Sequence, residues 1–278
     1  MVRVLENGRS TATCYFDEYS RRVRVDDYEG SLDEILTLVE AKMPSWAEKL
    51  IVKSRPDDVR FFESKGLRRE AFIAGYYAGT DMHFMVRYLS TERSHSSREA
   101  DEDAIVRAVL LVPPSTSPAT SVQVKFAGPE DAEDLARLYR EAFRIYPTPV
   151  YDPDHVRKTM EEGTLYVLIR ESGKVISAAS AEINAKYRNA ELTDCATAEG
   201  HEGKGYMRAL LMALEEELKR RGITCLYTIA RSASFGMNKA FHQLGYAFGG
   251  RMTKNCMIYS GMEDMNVWYK SFDRTTSG

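Results

Sequence analysis

One stretch of the chain, residues 191–246, limits what the whole chain can fold into. An apolar strand, a turn that contains Gly203 and Gly205, a helix, a second strand and a second helix follow one another there. A strand that passes through glycines into a helix directs unpaired backbone N–H groups and the positive end of the helix dipole at one point. A diphosphate suits such a point. The order predicts an α/β chain with an anion site, and a tight turn that binds nothing is the alternative.

Two motifs within this stretch carry a family resemblance. The turn and the helix start consist of six residues: Glu202, Gly203, Lys204, Gly205, Tyr206 and Met207. The second helix and its end contain Asn238, Ala240, Phe241, Leu244, Gly245 and Tyr246. Together they resemble the GCN5-related N-acetyltransferase (GNAT) superfamily, whose turn reads R/Q-x-x-G-x-G/A and whose second helix closes with L-G-F or L-G-Y. Gly205 fits the central glycine, whereas Glu202 and Met207 replace the usual residues.

The resemblance implies a mixed α+β sheet of the GNAT fold, with acetyl-CoA as the acyl donor and no metal. All six residues of the turn would then contact the coenzyme. Further contacts would come from a strand and from the second helix, at Cys195, Ala196, Thr197, Ser234, Asn238 and Phe241. A hydrogen bond at the helix start is the alternative role of Asn238, and Ser234 is also a candidate helix cap. Phe241 stands where many members carry the Tyr that protonates the thiolate, so the general acid is unidentified.

Composition places the chain among soluble globular proteins, with 278 residues of which 28% are charged. The formal net charge is -3 and the basic residues are dispersed, which argues against nucleic-acid and membrane partners. No apolar run approaches the roughly 20 residues that span a bilayer. The N-terminus lacks the apolar core of a secretory signal, so a cytoplasmic location is expected.

The cysteines predict neither a disulfide framework nor a metal site. They are far apart in sequence and have no histidine at metal-ligand spacing; the four positions are Cys14, Cys195, Cys225 and Cys256. Packed, reduced thiols are expected. A covalent acyl-cysteine is the alternative for Cys195 and Cys225, which lie in apolar strands.

Two segments of the chain resemble each other, which predicts that one unit occurs twice. The first segment contains Phe62, Gly66, Gly79, Asp81 and Met82, and the matching residues of the second are Phe241, Gly245, Gly261, Asp264 and Met265. Chance similarity between two helix-to-hairpin joints is the alternative. Residues 1–90 are predicted to form a degenerate GNAT-like half, in which Ser31 caps a helix and Lys49 begins a strand. No glycine turn precedes that helix, so this half is expected to support the other copy or its substrate entrance rather than bind the coenzyme.

The complete catalytic copy is predicted over residues 121–273. It is expected to open with a strand over residues 122–127 and a helix announced by Pro129. Residues 91–120 are predicted to form a polar, exposed and proline-rich linker with a short helix over residues 104–111.

Acetyl transfer to an amine requires removal of a proton, because an alkylammonium has a pKa near 10.4. Glu191 is the first candidate for the base, because it lies early on the motif strand, where several GNAT members place a catalytic Glu. Asp194 is the second candidate, and strand alternation predicts that its side chain lies on the opposite face from Glu191. The alternative role of Glu191 is a strand-edge carboxylate that pairs with a basic residue.

Recognition of the acceptor is expected in segments that differ between branches of the superfamily. Four segments resemble the β-lysine N-acetyltransferase branch: the loop YPTPVYDPD, the tail after Gly250, ELTDCAT and SFGMN. A β-amino acid needs a cationic anchor for its carboxylate and a polar one for the retained ammonium. The candidates are Arg144, Tyr146, Asp152, Arg251 and Asn255. A loop that is merely stiffened by its Tyr and Pro residues is the alternative.

The resemblance implies direct acetyl transfer to the side-chain terminal amine of β-lysine, which yields the compatible solute N-acetyl-β-lysine. Lysine, a polyamine and an aminoglycoside are alternative acceptors. A non-catalytic acyl-CoA-binding regulator is the alternative from another class, because the turn is substituted at Glu202 and the helix lacks its Tyr at position 241. The expected partner is a small-molecule amine, and a homodimer is left open.

Overall fold

The computed structural model describes residues 1–115, 122–143, 148–258 and 261–272. The first half contains eight elements, in the order β1 Val2–Asn7, β2 Ser10–Asp17, β3 Arg22–Glu29, α1 Leu32–Ala41, β4 Lys49–Ser54, α2 Val59–Ser64, β5 Arg68–Tyr77 and β6 Thr80–Tyr88. A connecting helix follows, α3 Glu99–Leu110. The second half contains β7 Lys125–Phe126, α4 Ala132–Ala142, α5 Pro153–Glu161, β8 Leu165–Glu171, β9 Lys174–Asn184, β10 Asn189–Thr197, α6 Tyr206–Arg220, β11 Cys225–Arg231, α7 Phe235–Gln243, β12 Ala247–Ile258 and β13 Gly261–Ser271.

All the described strands form one mixed sheet of 13 strands, in the order β1-β2-β3-β4-β6-β5-β12-β13-β11-β10-β9-β8-β7. The first half contributes β1-β2-β3-β4-β6-β5, and the second half contributes the corresponding β8-β9-β10-β11-β13-β12 in reverse direction along the sheet. The halves meet where Gly250 of β12 pairs with Ala71 of β5. The strand order therefore confirms the mixed α/β class and the expectation that a GNAT-like unit occurs twice.

Matching positions in the two halves share their surroundings. Phe62 on α2 and Phe241 on α7 are both fully buried. Gly66 and Gly245 follow these helices with φ of 82° and 83°, in the left-handed region that glycine adopts at little cost. The repeat seen in the sequence therefore reflects two helix ends of the same geometry.

The repeat extends to an irregularity in the strand that follows each of these helices. Pairing shifts register in β5 near Gly75 and in β12 near Lys254, and both residues have positive φ. Asp81 accepts the Gly75 backbone N–H at 3.0 Å, and Asp264 accepts the Lys254 backbone N–H at 2.7 Å. The aspartates that match in the sequence therefore hold equivalent bulges.

The halves differ in how their sheets are covered. In the second half α6 packs on one face of β8–β11 and α4 and α5 pack on the other. In the first half α1 and α2 cover one face. Among the described residues, the first half has no counterpart of α4 and α5, so the opposite face of β2 and β3 is left without a helix.

The connector departs from the expectation of an exposed linker. Its helix α3 begins at Glu99 rather than at residue 104, and Arg93, just before it, is only 2% exposed. Arg93 donates to the carbonyls of Ser20 at 2.6 Å and Lys254 at 2.7 Å, and so ties the two halves together. The opening strand of the second copy is also shorter than expected, since β7 has only two residues and position 121 lies outside the described residues.

Candidate active site

The two central parallel strands of the second half separate partway along their length. β10 pairs with β11 only from Asn189–Glu191 to Cys225–Tyr227, although the strands continue to Thr197 and Arg231. A cleft of about 540 Å³ opens beyond the last pair, and residues of both strands line it. The free edge of β10 offers backbone N–H groups to this cleft, which suits hydrogen bonding to an extended ligand or to an oxyanion.

A bulge in β10 brings the two candidate bases to the same side. Pairing with β9 shifts register between Thr193 and Ala196, and Asp194 has φ of 48°. The expectation that Glu191 and Asp194 face opposite sides was wrong, because the extra residue breaks the strand alternation on which it rested. Both side chains line the cleft. Asp194 accepts a hydrogen bond from Ser180 Oγ at 2.7 Å.

The Glu191 carboxylate makes no hydrogen bond or ion pair with any described residue. The alternative role, a carboxylate that holds a basic partner, therefore lacks a close ion pair among the described residues, although Arg24 lies near enough for the two charges to interact. Its direct cross-strand neighbour on β9 is Glu182, at the mouth of the cleft. Burial, together with the charges of Glu191 and Asp194, raises the pKa of Glu182 to about 7.

The first half supplies a polar wall to this cleft. Alternate residues of β2 and β3 line it, namely Tyr15, Asp17, Arg22, Arg24 and Asp26. The residues between them, such as Val23 and Val25, are buried under α1. The sequence analysis did not predict this wall. The alternation of polar and apolar residues in β3 is nevertheless typical of a strand with one face toward solvent.

A charged cluster lies at the centre of the wall. Arg24 donates to both carboxylate oxygens of Asp26, at 2.6 Å from Nε and 3.2 Å from Nη2. Lys53 approaches the same carboxylate at 2.9 Å. Burial alone would raise the pKa of Asp26, but the charges of Lys53 and Arg24 outweigh it and hold that pKa well below its usual range. Asp26 is therefore ionised and shared between two cations.

The glycine turn before α6 has the geometry that the sequence predicts. Gly203 and Gly205 have φ of 74° and 82°, and the helix start has no side-chain cap and no acidic residue in its first turn. Glu202, Gly203 and Lys204 are exposed, whereas Tyr206 and Met207 are half-buried. The first N–H groups of α6 are therefore open to a ligand, and the turn fits a diphosphate.

The strand residues expected at the coenzyme lie on β10 beyond the bulge. Ala196 and Thr197 pair with β9, and Thr197 Oγ1 lies 2.8 Å from Ser177 Oγ. Burial and the neighbouring charge of Asp194 raise the pKa of the Cys195 thiol. A protonated thiol is a poor nucleophile, which disfavours an acyl-cysteine at this position.

Three of the positions expected at the coenzyme lie on α7 or at its N-cap and make contacts within the protein. Ser234 caps the helix, with its Oγ accepting from the Met237 backbone N–H at 3.4 Å, and it also lines the cleft. Asn238 is fully buried and uses both of its amide hydrogens and its carbonyl oxygen within the protein. Phe241 is fully buried in the core against Tyr246. Asn238 and Phe241 therefore present no free group to a coenzyme, and the helix-start hydrogen bond is the role the structure gives Asn238.

The candidates for acceptor binding are scattered. Arg144 and Tyr146 lie outside the described residues. Asp152 is exposed and caps α5, since its Oδ1 accepts from the Asp154 backbone N–H at 3.1 Å. Arg251 does not line the cleft but pairs with Asp103 of α3 at 2.7 Å.

Asn255 is the acceptor candidate that lies in the cleft. Its side chain is buried, with 1% exposure, and its Oδ1 has no hydrogen-bond partner in the described part of the chain. A buried carbonyl oxygen without a partner is costly and indicates a site for a donor from a ligand.

The described ranges contain neither a candidate metal site nor a candidate membrane-spanning helix. They contain no group of three or more His, Cys, Asp or Glu residues that could hold a metal ion. None of the helices within these ranges has the length and apolar character needed to cross a membrane.

Comparison with known proteins adds to this geometry. Residues 132–246 match the model of the acetyltransferase (GNAT) family. The chain is 36% identical to the N-acetyltransferase YodP of Bacillus subtilis over 97% of this chain and 99% of that protein. It is 35% identical to the β-lysine N(6)-acetyltransferase of Methanosarcina mazei over 87% of this chain and 98% of that protein. The solved structure of yncA from Salmonella typhimurium with acetyl-CoA is 20% identical to this chain, with a TM-score of 0.49. The match covers 57% of this chain and 98% of the yncA chain.

Proposed function

The chain belongs to the acetyltransferase (GNAT) family, and on that premise we propose that it acetylates the side-chain terminal amine of β-lysine. It is an amine N-acetyltransferase, and acetyl-CoA is its acyl donor. The observation that carries the proposal is the cleft beyond the β10–β11 separation, where an unpaired carboxylate faces the charged wall of the first half. The names of the relatives from Methanosarcina mazei and Methanococcus maripaludis support β-lysine as the acceptor.

The charge of the cleft suits a cationic acceptor. Among the described residues, its lining contains five carboxylates and three guanidinium groups, a formal net charge of −2; these are Asp17, Asp26, Glu182, Glu191 and Asp194 against Arg22, Arg24 and Arg231. A diamino acid with two ammonium groups and one carboxylate has a net charge of +1 and is attracted to such a cleft. The unpartnered Oδ1 of Asn255 would accept a hydrogen bond from the ammonium that is not acetylated.

Glu191 acts as the base in this proposal. The acceptor ammonium loses a proton to the Glu191 carboxylate, directly or through one water, and the freed amine attacks the thioester carbonyl carbon. The C–N bond forms and the carbonyl oxygen becomes an oxyanion. The attacking nitrogen then gives its second proton to solvent or to a carboxylate of the cleft, and the C–S bond breaks to release the thiolate. Backbone N–H groups of β10 near residues 195–197 would stabilise the oxyanion.

Transfer is direct in this proposal, because the Cys195 thiol, which lines the cleft, is not activated to carry the acetyl group. The Cys195 thiol is held protonated, chiefly by its burial. Phe241 cannot protonate the leaving thiolate and is buried away from the cleft. The thiolate would take its proton from solvent or from a carboxyl group of the cleft.

The product would fit a compatible solute. Acetylation removes one positive charge from β-lysine and leaves one ammonium and one carboxylate. The product is then a zwitterion with no net charge, and it can accumulate without a counter-ion.

The proposal is tested by a steady-state panel assay on the purified protein. Thiol release from acetyl-CoA is followed with β-lysine, lysine, spermidine and an aminoglycoside. We expect kcat/KM to be highest for β-lysine, by about 10-fold or more, because one additional charged contact provides a difference of that size. A preference for spermidine would identify a polyamine acetyltransferase instead. Tight acetyl-CoA binding without turnover on any amine would identify a non-catalytic regulator.

A further inference from the structure

The polar wall of the first half contributes charge to the cleft, but it takes no part in the proton removal or the acetyl transfer proposed above. We propose that Arg24 on this wall binds the carboxylate of a diamino-acid acceptor and so selects amino acids over simple diamines. This inference rests on the proposed function, because it takes the acceptor to carry both an amine and a carboxylate. The first half would then determine specificity while the second half carries out the transfer.

The local charge around Arg24 makes it an anion site. Arg24 and Lys53 share the single carboxylate of Asp26, so these three groups have a formal net charge of +1. Asp26 binds Nε and Nη2 of Arg24 and fixes the plane of the guanidinium group. Nη1 makes no hydrogen bond to any described residue. Its two N–H groups are therefore oriented and available to a carboxylate.

The two other guanidinium groups in the described lining of the cleft are already neutralised one to one. Arg22 pairs with Asp17 at 2.9 Å, and each of these side chains is only 7% exposed. Arg231 binds both oxygens of Glu263, at 2.6 and 2.7 Å. The Arg24 side chain is 25% exposed and lies in the cleft. Accessibility and excess charge therefore favour Arg24.

Arg24 also lies within electrostatic reach of the base. Glu191 is among the groups that raise the pKa of Arg24, after Asp26, against the effect of burial. The acceptor would bind with its reacting amine at Glu191 and its carboxylate at the opposite wall. A diamine without a carboxylate gains nothing from that wall.

The test compares acceptors that differ only in the carboxylate. β-Lysine is paired with 1,4-diaminopentane, and lysine is paired with 1,5-diaminopentane, which are the same molecules with hydrogen in place of the carboxylate. Arg24→Gln is expected to lower kcat/KM for the diamino acid about 10- to 100-fold, mainly through KM, as loss of a charged hydrogen-bonded contact does. The rate with the matching diamine should stay within about twofold, since that acceptor makes no such contact.

Two further variants control for folding and for charge. Arg24→Lys keeps the positive charge beside Asp26 but loses the planar guanidinium group. The loss of kcat/KM for the diamino acid, relative to the diamine, should therefore be smaller than in Arg24→Gln. Arg60→Gln removes an exposed guanidinium on α2, outside the cleft, and should leave both acceptors unaffected. Thermal unfolding of each variant reports whether the fold is retained.

The outcomes separate the two proposals. Equal losses with diamino acid and diamine in a folded Arg24→Gln variant would overturn the role of Arg24 while leaving the acetyltransferase activity intact. If the wild-type protein prefers lysine to β-lysine, lysine replaces β-lysine as the proposed acceptor. The Arg24 variants are then compared on lysine and 1,5-diaminopentane. A wild-type preference for the diamines would overturn the inference outright.

Discussion

The two halves share a strand order, but the turns before the corresponding helices α1 and α6 differ. At Gly203 a Cβ atom would meet nothing within 4 Å, whereas at Gly30 it would lie 2.5 Å from Ser10 Oγ. Ser10 Oγ also accepts the Ser31 backbone N–H and donates to Glu34. The first turn is therefore filled by the protein's own side chains, and the second is open for a diphosphate. One copy keeps a turn that fits an anion, and in the other copy the protein's own side chains fill the turn.

The corresponding cross-strand pairs differ as well. In the second half Glu191 of β10 lies opposite Glu182, and in the first half Arg24 of β3 lies opposite Tyr15. Glu191 and Arg24 each occupy the third parallel pair with the strand that follows the helix. A sheet face without covering helices makes the first half usable as a wall. The comparison teaches that a half-domain with a filled turn can still contribute charge to the cleft of the other half.

Replacing the base would have the largest effect and would show which half carries the chemistry. Glu191→Gln is expected to lower kcat/KM at pH 7 about 10²- to 10⁴-fold, the range for removal of a general base. Because the amine is already unprotonated above its pKa near 10.4, the deficit should shrink toward high pH. Steady-state rates across pH measure this, with Glu6→Gln on exposed β1 as the control. An equal deficit at all pH values would contradict the assignment of Glu191.

A second comparison sets Asn238 on α7 against Val59, which precedes Phe62 on α2 by the same three residues. Asn238→Ala would leave the buried Asn266 amide and the Trp268 indole N–H without their acceptor. The free energy of unfolding should fall by about 3 kcal/mol, whereas Val59→Ala should cost about 1 kcal/mol. Denaturant unfolding provides both values.

The same pair of variants tests the coenzyme role that the sequence suggested for Asn238. Among the molecules that remain folded, KM for acetyl-CoA should be unchanged. A large rise in KM with no loss of stability would instead make Asn238 a coenzyme contact.

Local patterns explain what the sequence could predict. Three predicted features depend on residues close to one another in the chain: the strand that begins at Lys49, the helix α6 after Gly205 and the cap at Ser234. The repeat was visible because two helix ends need glycine at the same point. The family and its anion site could therefore be reached without coordinates.

Non-local contacts explain the rest. The bulge at Asp194 depends on the register with β9, which no local pattern encodes. The role of Arg24 depends on β3 facing a cleft formed by strands more than a hundred residues away. Arg93 lies in a polar segment that reads as exposed, and only the meeting of the two halves buries it.

Alanine at the two turns would sharpen the contrast between a filled and an open site. Gly30→Ala forces a Cβ to within 2.7 Å of the Ser10 Cα at a φ of 103°, and should lower stability by about 2 kcal/mol without changing KM for acetyl-CoA. Gly203→Ala has room but strains a φ of 74°, at about 1 kcal/mol. It should raise KM for acetyl-CoA several-fold, because the N–H groups of the turn shift. Reversal of these effects would contradict the comparison.

Removal of the Glu182 charge would have the smallest effect and probes the carboxylate pair that the first half lacks. Burial, then the charges of Glu191 and Asp194, raise the pKa of Glu182 from 4.5 to about 7 against the opposing charges of Arg24 and Lys53. A carboxyl group with a raised pKa binds its proton more tightly in the folded state. The folded state therefore loses stability as the pH rises from about 4.5 to about 7.

Glu182→Gln removes this loss, so its Tm relative to wild type should be higher at pH 8 than at pH 5. The cleft crowds the Glu182 carboxyl group, but much of the residue remains accessible to solvent at the mouth, so solvent screening should keep the gain below about 1 kcal/mol. Glu6→Gln removes an exposed carboxylate from β1 and should show the same Tm difference at both pH values. If Glu182→Gln behaves like Glu6→Gln, the two cross-strand carboxylates do not repel each other, and the second half differs from the first at this pair only in residue type.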